Sequence, residues 1–531
     1  LRQPVFRALW LAALVSNLGA LMQGVAAAWL MTDLTTSPVP VALLTTMSSL
    51  PLFLVGLPAG ALADVVDRRR LVLVTQIWML AVATVLGGLT AIGWVTPWRL
   101  LGLIFLLGLG GALSAPAWQA IVPDLVPRDE FAAAVALNSA GFNLARAIGP
   151  ALGGLLIAAA GPATVFLLNA ASFLGIIIVM YRWRPSARVQ TAPPERVRSA
   201  VAAGMRFTRH SPPLRAVLVR TAVFIGTASA LWALLPVVAS HQLGLSATGY
   251  GILLASLGLG AIGGASILPW LRARLSVDQL VTALTLIFAA GMVALAQIQN
   301  LVLLNAALAL VGVGWLSITS SFNVTAQTMV PAWVQARALG VYLLVFQGSF
   351  AAGSAAWGVV ADRFGVQTTL LVAAGMMVLG VISARRWPLR TDEELDLNPS
   401  QHWPSPVLAW EPELEAGPVL ITVEYRVAKP QQAAFAQAMQ DVQILRLRDG
   451  ATRWGLFHDA AEPDRFLETF VVSSWAEHLR QHERVTVADQ IVEQRALAFQ
   501  QPGTVPVVSH LIATGRVVEI ANQLSRSRGE P

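Results

Sequence analysis

No cysteine occurs among the 531 residues, which excludes disulfides, thiol chemistry and cysteine-ligated metal and leaves the redox compartment open. Charge is scarce: Asp, Glu, Lys and Arg make up 12% of the chain, against 56% hydrophobic residues and a mean hydropathy of +0.64. That balance indicates a membrane protein rather than a string of soluble domains. In the C-terminal part, from residue 391 on, no nucleotide-binding glycine loop or serine-hydrolase elbow occurs and EHLRQH lacks the HExxH order, so a regulatory or dimerising role is expected there. No basic face with interleaved aromatics is found either, so the excess of arginine does not point to nucleic acid.

What is present is apolar length. Twelve runs long enough to cross a hydrocarbon core of about 30 Å lie between Leu9 and Ala384, at 8–31, 39–63, 71–94, 99–122, 132–158, 163–181, 214–240, 248–270, 279–298, 300–324, 338–361 and 366–384. Arg2 and Arg7 ahead of the first run imitate a signal peptide, but eleven further spans make a retained helix the expected outcome. Of 24 basic residues through Arg390, 20 fall at the N-terminus, in the even-to-odd connections or just after the last span. By the positive-inside rule both ends of this part face the cytoplasm. Residues 1–390 carry a net +15 and 391–531 a net −8, which separates a membrane part from a soluble one.

The connection 182–213 is basic, holds two proline pairs and divides the spans into six and six. Between the prolines, Val197, Val201, Met205 and Phe207 are spaced for an amphipathic helix on the anionic inner leaflet. The two halves repeat one another: QAIVP at 119–123 matches QTMVP at 327–331, and the Gly149 to Gly161 spacing matches that of Gly353 to Gly365. The organisation read from this is an N-terminal half (1–181), a connection (182–213), a C-terminal half (214–390), an acidic linker (391–417), a soluble domain (418–515) and a disordered tail (516–531).

In GALADVVDRRRL, residues 60–71, five charges join spans two and three. Gly60 permits close helix approach, Asp64 can cap or pair near a helix end, and the arginines hold that end at the membrane interface. The pattern Gly60, Asp64, Asp67, Arg68, Arg69 resembles the loop signature of the major facilitator superfamily, though Val65 and Asp67 depart from it. The resemblance implies a gating lock; a plain topogenic anchor is the alternative. In span five, Gly149, Pro150, Gly153 and Gly154 resemble the antiporter motif of exporters, where small residues four apart let helices touch and proline bends the chain. Packing alone also accounts for that motif. With AWLMTDLTTSP (28–38), the 119–154 run and ALWALLPVV (230–238), residues 1–515 are similar to the transmembrane secretion effector group, which includes the enterobactin exporter and lies near macrolide-efflux proteins. The resemblance implies a mainly α fold of two six-helix halves in a bacterial inner membrane, and proton-coupled export of a small molecule by alternating access.

Polar residues at helical spacing supply the candidate cargo contacts: Asn17, Asn143, Arg146, Arg220, Trp232, Asn323, Gln327 and Gln347, with interhelical hydrogen bonding as the alternative role. No acidic residue lies deep in any span, so Arg146 needs another compensation, and Arg220 is near enough to the inner edge to snorkel. Arginine without a carboxylate favours anionic or acceptor-rich cargo such as a siderophore, with a structural pairing of Arg146 to backbone carbonyls as the alternative. Asp33 is the proton-coupling candidate, with His241 beside it in rank.

The soluble domain reads β-α-β-β-α-β, with strands at 419–427, 452–459, 465–473 and 505–513 and helices at 430–444 and 474–499. That order fits an α+β ferredoxin-like sandwich and resembles the antibiotic-biosynthesis-monooxygenase type of module, which implies a homodimer. His478 and His482 are read as a solvated helix face rather than a metal pair, and Trp454, His458 and Trp475 as a pocket or core. No cofactor is expected. Export is the leading reading, and uptake by the same fold, a small-molecule-modifying domain beside a transporter, and a non-transporting sensor are the alternatives.

Overall fold

The computed structural model describes residues 3–127, 130–183, 197–389, 396–404, 406 and 408–514; within helices, the side chains at 57, 61, 64, 65, 122–124, 132 and 197–203 fall outside that description. The chain divides into two compact units. One gathers 1–194, 216–325 and 342–391; the other gathers 195–215, 326–341 and 392–531.

Local chemistry starts the membrane helices. Proline leads α1 (Pro4–Leu34), α2 (Pro38–Val65) and α4 (Pro97–Leu125), positions where its missing N–H has no partner to lose. Side-chain oxygens of Ser37, Asp67, Thr96, Ser246 and Ser276 accept the first free amides of α2, α3 (Arg68–Ala91), α4, α8 (Ala247–Arg272) and α9 (Val277–Gln297). Between these lie α5 (Phe131–Arg182), α6 (Val197–His210) and α7 (Pro212–Val237), the last extended by a π-helical turn, Val238–Gln242. Three more follow, α10 (Leu301–Thr328), α11 (Gln335–Phe364) and α12 (Val366–Val381), then a single turn, α13 (Ser383–Arg386).

The 52 residues of α5 cross twice. Trp10 Nε1 donates to the Leu137 carbonyl at 3.0 Å, and Ala12, half a turn on, lies 3.3 Å from where a Cβ on Gly175 would sit. Gly153 and Asn169 likewise both meet α1, at Met22 and Gln23. The chain therefore doubles back between them, at Gly161, whose φ of +78° is accessible to glycine and strained for other residues. Gly365 turns α11 into α12 at φ +83°, so the equivalent glycines of the two repeats adopt the same conformation. Eleven long apolar helices among the described residues thus make twelve crossings. Trp94, Trp98 and Phe364 at one end of the bundle and Tyr181 and Trp270 at the other are exposed, as aromatic belts at the two membrane surfaces are.

In the second unit a four-stranded antiparallel sheet has the order β2 (Arg453–His458), β3 (Arg465–Val472), β1 (Val419–Arg426), β4 (Val507–Ile512). Alternation along β1 buries Val419, Ile421, Val423 and Tyr425 on one face. They pack with Phe435, Met439 and Val442 of α14 (Gln432–Asp449), and with Phe466, Phe470 and Trp475. The single helix expected at 474–499 is two, α15 (Trp475–Arg484) and α16 (Val487–Leu497). The break is at Val485, and Thr486 with Asp489 forms a capping box that restarts the helix. Residues 398–400 and 402–403 also lie on this domain: Ser400 N–H donates to the Val485 carbonyl at 2.9 Å, and His402 Nε2 meets Glu493 at 2.7 Å.

Candidate transport site and its connecting loops

Between α2 and α3, the Asp67 carboxylate accepts the Arg70 N–H at 2.8 Å and caps α3. Arg69 donates at 2.7 Å from Nε to the Met180 carbonyl and from Nη2 to that of Tyr181, where the last turn of α5 has no amides left to pair. Arg68 reaches the Ala120 carbonyl of α4 at 3.4 Å. The basic pair thus ties the ends of three helices of the first half together. Among the described residues a Cβ at Gly60 would meet nothing within 4 Å, and the neighbouring side chains at 57, 61, 64 and 122–124 lie outside that description. The Asp64 side chain is outside the described residues.

On α5 the small residues of the exporter-like motif face two partners. A Cβ at Gly149 would lie 2.9 Å from Leu21 Cβ, and one at Gly153 3.0 Å from Met22 Cα, both on α1. One at Gly154 would lie 2.6 Å from the Ala247 carbonyl oxygen of α8. From the other side, Cβ atoms on Gly251 and Gly258 would run into the carbonyls of Pro150 and Arg146, at 2.7 and 2.9 Å. Pro150 lies within the helix, and the residue of α5 with non-helical backbone angles is Gly161.

These contacts join the two halves. Further links are Trp29 stacked on Tyr250 at 6.2 Å, Ser37 Oγ donating to Asp362 at 2.8 Å and Thr46 Oγ1 donating to the Ala351 carbonyl at 2.9 Å. Asp33 and His241, the two proton-coupling candidates, lie close enough to interact electrostatically. They run from mid-bundle, at Gly258–Arg146 and Thr46–Ala351, to the end that carries the turns 35–37, 161, 243–246 and 365, opposite the Arg68–Arg70 loop.

The cargo candidates are distributed unevenly. Arg146 stands where α5 crosses α8, and among the described residues its guanidinium makes no hydrogen bond or ion pair. Arg220, expected to snorkel, is instead 6% exposed and bonded to Asp278 in the first turn of α9. The half-buried Asp278 carboxylate serves as its counter-ion in place of the membrane surface. Trp232 stands edge-on to Trp315 at 5.2 Å, and Trp315 is also within 6.3 Å of Phe224, Phe288, Phe346 and Phe350. Among the described residues, the Trp232 Nε1 and Ser354 Oγ are buried without a hydrogen-bond partner. Asn17, Asn143, Asn323 and Gln347 are half-buried, while Gln327 is exposed and falls in the second unit. Sequence reasoning missed Trp315, the hub of the ring cluster; its signal was the Phe346, Phe350 spacing on α11 facing a lone tryptophan in α10.

A family model described as transmembrane secretion effector matches residues 1–518. The chain belongs to that family, within the major facilitator superfamily. It is 28% identical to the multidrug efflux pump Tap of Mycolicibacterium fortuitum over 407 residues, 73% of this chain and 96% of the relative. It is also 28% identical to the enterobactin exporter EntS of Shigella boydii over 400 residues, 71% of this chain and 91% of that one. A bacterial homologue of the lysosomal transporter Spinster, inward-facing and unoccupied, shares the fold at a TM-score of 0.59 and 14% identity, covering 73% of this chain and 98% of the other. A bacterial ferroportin homologue, also inward-facing, does so at 0.58 and 16%, covering 73% and 100%. This secretion effector is therefore a multi-pass membrane transporter.

Its C-terminal domain is held by buried ions. Arg446 bonds Glu468 (3.0 Å) and Glu493, Tyr425 and Trp454 donate to Glu468 (2.9 Å each), and Trp403 donates to Glu493 (2.9 Å). Burial alone would raise the Glu493 carboxyl, but Arg446, His402 and Trp403 outweigh it and hold it down at about 2. The solvated face expected for the histidines is contradicted: His478 is 2% exposed, its Nε2 is 3.3 Å from that of His482, and its ring centre is 4.7 Å from that of His510. Burial, together with the two other imidazoles, pushes His478 down to about 3. Among the described residues no group of three ligands is placed to hold a metal. Trp454, His458 and Trp475 do not form one pocket; Trp454 serves Glu468, His458 stacks on Phe466, and Trp475 packs against His478 and His510.

Proposed function

We propose that this secretion effector exports a small, acceptor-rich or anionic molecule by alternating access, with its basic rim and both ends in the cytoplasm of a bacterial cell. The observation that carries the reading is the contact of α5 with α8 and of α2 with α11 from mid-bundle to the end opposite Arg68–Arg70, where Gly154 meets Ala247 and Ser37 meets Asp362. A bundle shut on the outer side is the state in which cargo enters from within. Arg146, without a partner across the same crossing, supplies positive charge, and Trp232, with an unpaired N–H in a wall of rings, supplies a donor beside an aromatic surface. Both suit a catechol carboxylate, and the enterobactin exporter among the relatives agrees with that class. Asp33 opposite His241 supports proton coupling at the outer seam: protonation of the carboxylate weakens the pair and favours opening there.

The test is uptake of radiolabelled 2,3-dihydroxybenzoate and of ethidium into inverted vesicles under an imposed proton gradient. Gradient-dependent accumulation of the acid, lost in Arg146→Gln, is expected. Accumulation only in right-side-out vesicles would establish uptake instead. For the C-terminal domain, the open sheet face with exposed Val507, Leu511 and Phe457 supports a homodimer contact.

A further inference from the structure

The second unit contains more than the C-terminal domain. It includes α6, the first residues of α7, the last turn of α10, the 10–11 connection and the first two turns of α11. The helix expected to float on the lipid surface is docked on protein: Phe207 is 1% exposed, edge-on to Trp333 at 5.9 Å, with the Arg448 guanidinium 5.6 Å from its ring centre. Arg206 donates to Glu477 at 3.0 Å. Glu477 also receives Arg484 at 2.7 Å and Arg480 at 3.0 Å, and Arg484 lies over the Trp333 ring at 4.4 Å. A Cβ on Gly204 would sit 2.8 Å from Arg337 Cβ, so α6 and the first turn of α11 touch directly. Glu477 stays charged because three guanidiniums outweigh its burial.

We infer that the C-terminal domain is a brake: α15 clamps the 6–7 and 10–11 connections together, and the clamp opens in each transport cycle. The inference rests on the alternating-access reading above. Only Ser211 separates α6 from α7, and six residues separate α10 from α11, so the slack between clamp and membrane helix is short. Ends bound to one body cannot change their spacing while the charged cluster and the Phe207 seat hold. Sequence alone could not pair Arg206 with a glutamate 271 residues away.

The cysteine-free chain makes a clean test. In Gly204→Cys/Arg337→Cys a disulfide needs the Cβ atoms to part by about 1 Å to reach the usual span of about 3.8 Å, and its formation is read as a gel-mobility shift in full-length protein in native membranes. Ready formation, with uptake of 2,3-dihydroxybenzoate and ethidium into inverted vesicles stopped by oxidation and restored by reductant, is expected. No cross-link would overturn the docking, and a cross-linked protein that transports as fast as the reduced one would overturn the brake. Phe207→Ala/Glu477→Gln is the second variant: connector cleavage by trypsin after Arg206 or Arg209 at least fivefold faster and a maximal transport rate at least twofold higher are expected, and unchanged cleavage or an unchanged rate overturns the inference. If the wild type moves neither probe, export fails as a reading, while the cross-link and trypsin results still decide the docking.

Discussion

At the scale of single residues, buried charge decides most of what can be tested. Asp278→Ala leaves Arg220 buried without a counter-ion, and the expected loss is about 3–5 kcal/mol, seen as a lower melting temperature of the purified protein in detergent. Arg220→Met combined with Asp278→Leu is expected to regain most of it. In the soluble domain the sign follows from direction. Glu493 is depressed from 4.5 to about 2, so its contribution is complete above pH 4.5 and disappears as pH falls toward 2. His478 is depressed from 6.5 to about 3, so the unfolded chain binds a proton more readily over that window and stability falls as pH drops below 6.5. Denaturation of the full chain followed by tryptophan emission is expected to show a shallower slope between pH 6.5 and 4.5 in His478→Asn. Little of this was legible beforehand: Arg220 and Asp278 are 58 residues apart, and His478 and His482 share spacing with any exposed helix face. Composition identifies which residues are costly to bury, and only the fold supplies their partners.

At the scale of helices and strands, the reading was far more complete, because a bilayer demands length and internal hydrogen bonding of every crossing. The twelve spans and the boundary at Gly161 could be read for that reason, and so could the β-α-β-β-α-β order, which rests on alternation. The division of 474–499 into α15 and α16 was missed although Thr486 and Asp489 carry a helix-start spacing, because no glycine or proline stands at the break to weigh against one continuous helix. The α5–α8 crossing makes its own prediction. Gly154→Leu and Gly251→Leu place side chains where the opposing carbonyls are 2.6 and 2.7 Å from a Cβ, so both are expected to reach the membrane at normal levels and lose at least tenfold in transport rate.

At the scale of the whole molecule, twelve crossings, a basic rim and an acidic soluble domain belong to one chain, and the internal repeat accounts for the first of these. Val507→Arg/Leu511→Arg, on the open face of β4, is expected to halve the particle mass of the detergent-solubilised full chain if the domains pair through their sheets; equal masses for wild type and variant would remove the dimer. The single-residue turns at Gly161 and Gly365 have a consequence for biogenesis. The connections at that end of the bundle, 35–37, 92–96, 161, 243–246, 298–300 and 365, never exceed five residues. Helices joined by one glycine cannot be threaded one at a time with a hydrophilic stretch between them, so each such couple must leave the insertion machinery as a preformed hairpin. The surface it presents to the far side is then nearly bare of peptide for a protease or an antibody to grasp.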